Sequence, residues 1–397
     1  MKTLILKADS YRTFLLVFLG LLTAFGPFVT DMYLPALPSM VEGFGTTTSL
    51  VQLSLTSCMV GLAVGQLLFG PMSDRYGRKP VLLWTLLLFI LSTLLCLLSS
   101  DVYLFVAFRL FQGIAAAGSI VIARSVSTDL FAGRELARIL AIIGSINGIA
   151  PVLAPVIGGT MTEAGGWQGI FVILLGIGIL LLFACVYYQE SIPVERRVSS
   201  SLLNLSSYFI PLLRNRPYMG YMLQFGFAQA ALFANIASAP FIMQQHYGFT
   251  PFEFSVCFGM NAIAVVISAA FAVKFRRIEN GVLLGSVGLF AFSVCEAVAL
   301  FFGCGFLVYE LFMLGILFSL GLCFTSSTTL AMDKGREFSG SASALLGAVS
   351  FAFGGIVSPL VGIGDPLRTV GIVFVACGVC SFVCLYITKK GEIQPTH

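Results

Sequence analysis

Charge is what this chain has least of. Asp, Glu, Lys and Arg together make up 10% of its 397 residues, whereas a soluble domain carries about one-quarter. A water-exposed surface of this size could not be covered with so few. Histidine occurs only twice, so no nucleophile–histidine–acid set suggests itself. The ten cysteines are scattered through apolar stretches. Cys377, Cys380 and Cys384 imitate a Cys-x-x-Cys spacing but lack the further ligands and aqueous setting of a zinc or redox site, so small apolar filler is expected and no metal. A Gly-x-x-x-x-Gly-Lys-Ser/Thr phosphate loop is missing, so ATP bound to this chain is not the energy source. What is abundant is apolar: 58% of the residues, with a mean hydropathy of +0.98. That composition describes an integral membrane protein with lipid as its main solvent. It excludes a nucleic-acid binder, a disordered chain and a secreted disulfide scaffold.

A helix crossing the hydrocarbon core needs roughly 20 mostly apolar residues. Ten charge-free stretches of that order occur, and two more are interrupted by one charge each, 102–123 by Arg109 and 281–302 by Glu296. They predict an all-α membrane protein with twelve spans, at 13–34, 49–70, 80–98, 102–123, 138–162, 168–188, 218–242, 253–273, 281–302, 306–330, 341–363 and 368–388. Lys2, Lys7 and Arg12 before the first span imitate a signal peptide, but no small-x-small cleavage site follows, so a retained helix is expected. Twenty of the 22 basic residues fall at the termini or in even-to-odd loops. Because cytoplasmic loops retain Lys and Arg, both termini are expected in the cytoplasm.

The longest polar break, 189–217, divides the spans into six and six. The expected organisation is a six-helix bundle over 1–188, a cytoplasmic linker over 189–217 and a second bundle over 218–397. One echo relates the halves: Ala154-Pro-Val-Ile-Gly158 in span five and Ser358-Pro-Leu-Val-Gly362 in span eleven. Two similar halves around a linker suggest a duplicated transporter fold.

The loop after span two reads Gly70-Pro-Met-Ser-Asp74-Arg75-Tyr-Gly77-Arg78-Lys79. Glycines there permit a tight turn between helices. Asp74 is placed to sit against a helix N-terminus, and Arg78 to reach an acid such as Asp129 at the inner end of span four. This pattern between spans two and three resembles the signature of the major facilitator superfamily. The resemblance implies two pseudo-symmetric six-helix bundles and an inner latch that favours the outward-open state. Arg109-Leu-Phe-Gln112-Gly113 in span four resembles the superfamily's Arg-x-x-Gln-Gly motif. An arginine about seven residues inside a span is costly, so Arg109 either faces the bundle interior or a wet cavity with a partner, or snorkels to the interface.

Span one ends Thr30-Asp31-Met-Tyr33-Leu-Pro35-Ala-Leu-Pro38, which narrows the resemblance to drug:proton antiporters of the bicyclomycin/chloramphenicol resistance (Bcr/CflA) group. Asp31 lies ~27 Å from the inner end and Arg109 ~10 Å below the outer end, at 1.5 Å per residue. The two are expected to share the outer half of one cavity, with Asp31 as the coupling carboxylate and Arg109 modulating it. The alternative leaves Asp31 at the water interface as a cap. Span five carries Gly148, Pro151, Pro155, Gly158 and Gly159, which spell a kinked, closely packed helix. The resembling antiporters have Gly-Pro-x-x-Gly-Gly here, and this chain has Ala154 before Pro155.

Tyr33, Gln112, Asn147, Asn235 and Asn261 are candidate cavity residues, each also able to serve as an interhelical hydrogen bond. Glu310 is expected near the outer interface, and Glu296 is a candidate second protonation site. The resemblance implies a proton-coupled multidrug exporter without a cofactor, working as a monomer in the bacterial inner membrane, with the proton gradient as its energy source. Its partners are then a small drug-like substrate, protons and the bilayer. The alternatives are a narrow metabolite exporter, an uptake symporter or a transporter-like sensor. An enzyme is not expected.

Overall fold

Apolar runs of this length satisfy their backbone hydrogen bonds in lipid only as helices, and the computed structural model is a set of helices joined by short turns over its described residues. These are 2–131, 133–193, 197, 205–336 and 339–393. The helices are α1 (Lys2–Asp31), α2 (Leu37–Gly43), α3 (Thr48–Tyr76), α4 (Arg78–Leu98), α5 (Val102–Leu130), α6 (Gly133–Tyr187) and α7 (Leu205–Arg214). They continue with α8 (Arg216–Phe241), α9 (Pro251–Ala272), α10 (Ile278–Phe301), α11 (Phe306–Lys334), α12 (Ser339–Leu360) and α13 (Pro366–Ile393). Eleven helical segments are long and apolar enough to cross a membrane. Gly166 (φ 66°, ψ −172°) is non-helical and divides α6 into two arms, so the described chain offers twelve spans.

Local chemistry sets the helix ends. Asp101 accepts from the backbone N–H groups of Tyr103 and Leu104 at 2.8 and 2.9 Å, starting α5. Thr250 and Glu253 cap α9 reciprocally, the Glu253 carboxylate accepting from the Thr250 N–H at 2.9 Å and Thr250 Oγ1 accepting from the Glu253 N–H at 3.2 Å. Two expected boundaries need correction. Span one does not run on to 34; it stops at Asp31, and a 3₁₀ turn (Leu34–Ala36) leads into α2. The stretch 189–217 is not wholly a linker, because α7 occupies its second half and Asn215 then caps α8 through the Tyr218 N–H at 3.1 Å.

The two halves mirror each other in how they meet. α3 packs against α12, and the first arm of α6 packs against α9. In a six-plus-six arrangement α9 stands where α3 does and α12 where that arm of α6 does, so the two contacts are equivalent. α1 begins and α13 ends at one face, called the terminal face below. Large apolar side chains such as Trp84, Leu98, Phe183, Phe302 and Ile372 cover the outside, as a lipid-facing surface requires.

Candidate transport cavity

Between the halves lies a cavity of about 640 Å³, and helices from both contribute to its wall. Its deep end is formed by Thr30 and Asp31 of α1, Asn235 of α8 and Asn261 of α9. Phe225, Phe233, Phe258, Phe324 and Phe351 supply aromatic wall. Arg124, Met332 and Ser343 carry the cavity down to helix ends at the terminal face. The opposite end is closed by contacts between the halves. Ser49 Oγ donates to the Gly362 carbonyl at 2.7 Å, and Gln52 Nε2 to the Ala237 carbonyl at 3.0 Å. Gln244 Nε2 donates to the Pro35 carbonyl at 2.9 Å. The backbone N–H of Phe252, in the first turn of α9, donates to Glu163 Oε1 at 3.1 Å, a carboxylate at a helix N-terminus, where the dipole favours it. The chain is therefore open to the terminal face and shut on the other.

Asp31 is 7% exposed and opens into this cavity. Its Oδ1 accepts from the Thr30 hydroxyl at 2.7 Å. Among the described residues no cation pairs with it. Arg109 does not share the cavity, contrary to expectation. It is fully buried inside the first half, where Nη2 donates to the Val29 carbonyl at 3.1 Å and Nη1 donates to Gln112 Oε1. Its guanidinium lies 4.2 Å from the Tyr33 ring centre and 5.8 Å from that of Phe171. Gln112 in turn donates to Thr93 Oγ1 at 2.8 Å, and Tyr33 Oη lies 3.3 Å from Ser54 Oγ. Tyr33 and Gln112 thus belong to a packed network behind α1, away from the cavity wall. The i, i+3 spacing brings Arg109 and Gln112 to one face, but that face turns inward to α1. Of the expected cavity amides, Asn235 and Asn261 line it, with Asn235 Oδ1 and Asn261 Nδ2 lacking hydrogen-bond partners among the described residues. The side chain of Asn147 lies outside the described residues, as does the surrounding of Gly148.

The loop between α3 and α4 folds around Arg78. Its Nε donates to Asp129 Oδ2 at 2.9 Å, Nη2 to Asp129 Oδ1 at 3.4 Å, and Nη1 to Ser73 Oγ at 2.6 Å. Asp74 Oδ1 lies 2.6 Å from Arg78 Nη1. The carboxylate on the α4 N-terminus is Glu190, not Asp74: it accepts from the N–H groups of Arg78 and Lys79 at 3.0 and 3.1 Å. Only Gly77 (φ 102°) needs glycine's backbone freedom. Gly70 lies inside α3, where a Cβ would meet only Val121 at 3.8 Å. Arg75 projects outward over the Tyr76 ring, and Lys79 Nζ donates to the Val186 carbonyl at 2.8 Å. All of these contacts stay within the first half, and they are formed while the cavity is open to the terminal face. A latch that holds the outward-open state therefore does not act by bridging the halves in this arrangement.

In the first arm of α6, Pro151 reaches the cavity, and Pro151 and Pro155 both sit inside the helix. A Cβ on Gly158 would overlap the Met32 carbonyl oxygen, while one on Gly159 would overlap Ser255 Oγ and crowd the Pro251 carbonyl. One glycine permits close approach to the turn that follows α1 in the same half. Its neighbour does so to α9 in the other.

A family profile described as the Major Facilitator Superfamily matches residues 19–359. The chain belongs to the major facilitator superfamily. It is 37% identical over 389 residues to the uncharacterized MFS-type transporter YdgK of Bacillus subtilis (strain 168), covering 96% of each chain. It is 27% identical over 390 residues to a bicyclomycin resistance protein homolog of Haemophilus influenzae, covering 95% of this chain and 96% of that one. The fold matches the partially occluded inward-open xylose transporter XylE from E. coli with a TM-score of 0.74 at 14% identity, over 98% of this chain and all of the other. This major facilitator protein is a transporter, not an enzyme, and its relatives support the narrower resemblance to the drug-efflux group.

For this superfamily member the sequence reading missed four site residues. Gln66 and Gln229 line the cavity, and each is an amide in mid-span, the same signal that marked Asn235. Arg124 was assigned to a loop but stands at the cavity mouth, because α5 runs on to Leu130. Glu190 gave no signal beyond being the first acid after span six.

Proposed function

We propose that this transporter exports small amphipathic compounds, cationic ones among them, in exchange for protons. The observation that carries the reading is Asp31. It is a buried carboxyl with one hydroxyl partner and, among the described residues, no paired cation, and it faces an aromatic-walled cavity of about 640 Å³. Closing dry walls around an ionised, unpaired carboxylate costs several kcal/mol. Either a proton or a cationic cargo removes that cost. A site that neither occupies resists passage through the closed state, so the two ligands exchange in turn, as antiport requires. The phenylalanines suit an apolar cargo body, and the free end of Asn235 suits its polar groups.

The placement of basic residues at the terminal face supports a bacterial cytoplasmic membrane location with both termini in the cytoplasm. The cavity then faces the cytoplasm, the side from which an exporter loads. One chain encloses the whole cavity, which supports a working monomer. The bicyclomycin resistance homolog among its relatives supports a drug-like cargo.

The test uses everted membrane vesicles with an imposed pH gradient and a panel of cationic, neutral and zwitterionic drugs. Cargo-dependent proton release from the acidified vesicles is the expected result, and Asp31→Asn should abolish it. No release across a wide panel, or an Asp31→Asn variant that exchanges at the wild-type rate, overturns the reading.

A further inference from the structure

The second half holds a carboxyl cluster that the cavity chemistry leaves unused. Glu296 of α10 is completely buried, and neither of its carboxyl oxygens has a hydrogen-bond partner among the described residues. Glu310 of α11 is near enough to act on it electrostatically, and one of its oxygens is also unpartnered. Two further polar groups adjoin the cluster. The Tyr309 hydroxyl is fully buried near both acids, and Asn261 Nδ2, 3% exposed, lies beside Glu310 together with Cys257 of α9. Tyr247 covers the cluster, its ring 5.6 Å from that of Tyr309 and its hydroxyl donating to the Cys304 carbonyl at 3.0 Å.

Nothing cationic faces these acids among the described residues. On α13, Arg368 is held by Asp365 at 3.4 Å and lies over the Phe301 ring. His246 is exposed at the edge of Tyr247. On α9, Glu253 is engaged in its capping box. A carboxylate buried this deeply without a counter-charge is too costly to persist, and the available remedies are a proton or a bound cation. No group of three or more His, Cys, Asp or Glu that could hold a metal ion occurs among the described residues. A proton needs no such ligand set, and it is the remedy taken up here.

Position gives the pair a direction. Glu296 lies five residues before the end of α10 and Glu310 four after the start of α11, both towards the face opposite the termini. Asn261, beside Glu310, lines the central cavity. We propose that Glu296 and Glu310 form a second proton-carrying site, separate from Asp31, that loads from the face opposite the termini and communicates with the cavity through Asn261. Each transfer breaks one O–H bond on a carboxylic acid and forms one on water or on the partner carboxylate, with no other bond changed. The role of the pair in turnover rests on the proton exchange proposed above; its protonation does not.

Infrared difference spectra of the purified protein in lipid nanodiscs, titrated from acid to alkaline pH, test the site without transport. The wild type should show carbonyl bands of buried carboxylic acids. Glu296→Gln should remove one component and leave the one that Asp31→Asn removes, and Glu310→Gln should shift the Glu296 component. A Glu296→Gln spectrum identical to wild type overturns the site, as does a band that responds to sodium and not to pH. Should Glu296→Gln fail to fold, Glu310→Gln alone decides by the same spectrum. In proteoliposomes exporting tetraphenylphosphonium, the protons moved per cargo should fall by about one in Glu296→Gln, and an unchanged ratio overturns the role in turnover. A wild type that shows the Glu296 band but exchanges no protons for any cargo defeats the antiport reading and leaves the site standing.

Discussion

Two charged residues inside the bilayer illustrate how differently a charge can be held. Asp31 meets the cavity with a single hydroxyl partner, whereas Arg109 is locked by the Val29 carbonyl, Gln112 and the Tyr33 ring. The first arrangement leaves the group free to change its ligand. The second is a structural clamp, because a planar fork stacked on an aromatic ring cannot be replaced by an ammonium. Arg109→Lys should therefore destabilise the protein by about 1.5–3 kcal/mol, read as a lowered thermal midpoint in detergent, while the dependence of export on pH keeps its shape. Export by Arg109→Lys that loses its dependence on pH would place Arg109 in the proton step instead. Both residues were visible in the sequence because charges in apolar runs are rare. Their separation was not, since helical spacing says which residues share a face and not which neighbour that face meets. The capping carboxylate Glu190 was illegible for a related reason: its partners are backbone N–H groups, which every residue type carries.

At the level of helices, the clearest contrast lies between two adjacent glycines of α6. Gly158 touches the Met32 main chain just past the end of α1, within its own half, and Gly159 touches α9 across the divide. Adding a methyl group to a close contact costs about 1–3 kcal/mol. Gly158→Ala should lower overall stability without favouring either open state. Gly159→Ala should penalise only the arrangement in which α6 and α9 touch, shifting the population towards the other opening by roughly 5- to 150-fold. Spin labels on the ends of α3 and α12 opposite the termini would register that shift as a longer distance, and equal responses in the two variants would refute the distinction. Glu163→Gln should act in the same sense as Gly159→Ala but more weakly, by about 0.3–1 kcal/mol, since it removes only an exposed helix-terminal charge interaction; the same distance measurement applies. Span number and order were readable from hydropathy and charge breaks alone. The turn at Gly166 was bracketed by two apolar runs, but α7 was hidden in a polar stretch, where hydropathy carries no helix signal. Gln224 shows the other limit. It is an amide inside an apolar run like Asn235, yet its Nε2 donates to Ser286 and Ser381 at 3.0 Å each, tying α8 to α10 and α13.

For the molecule as a whole, the closed side is a set of short crossings between halves. Gly362 and Ser49 lie so close that a Cβ built on Gly362 stands 3.2 Å from the Ser49 Cα, within the reach of a disulfide. In a background with the ten native cysteines replaced, Ser49→Cys with Gly362→Cys should cross-link on oxidation, abolish transport and regain it on reduction. Full transport by the oxidised pair would mean that this side never needs to open. The pseudo-twofold relation was only faintly legible from the proline–glycine echo of spans five and eleven, because the halves share packing roles more than residues. Three of the crossings end on main-chain oxygens, those of Ala237, Pro35 and Gly362. A main-chain acceptor survives almost any substitution at its own position. The wall that selects cargo can consequently diversify from one relative to the next without each change demanding a matching repair in the gate, which gives one scaffold latitude to acquire new specificities.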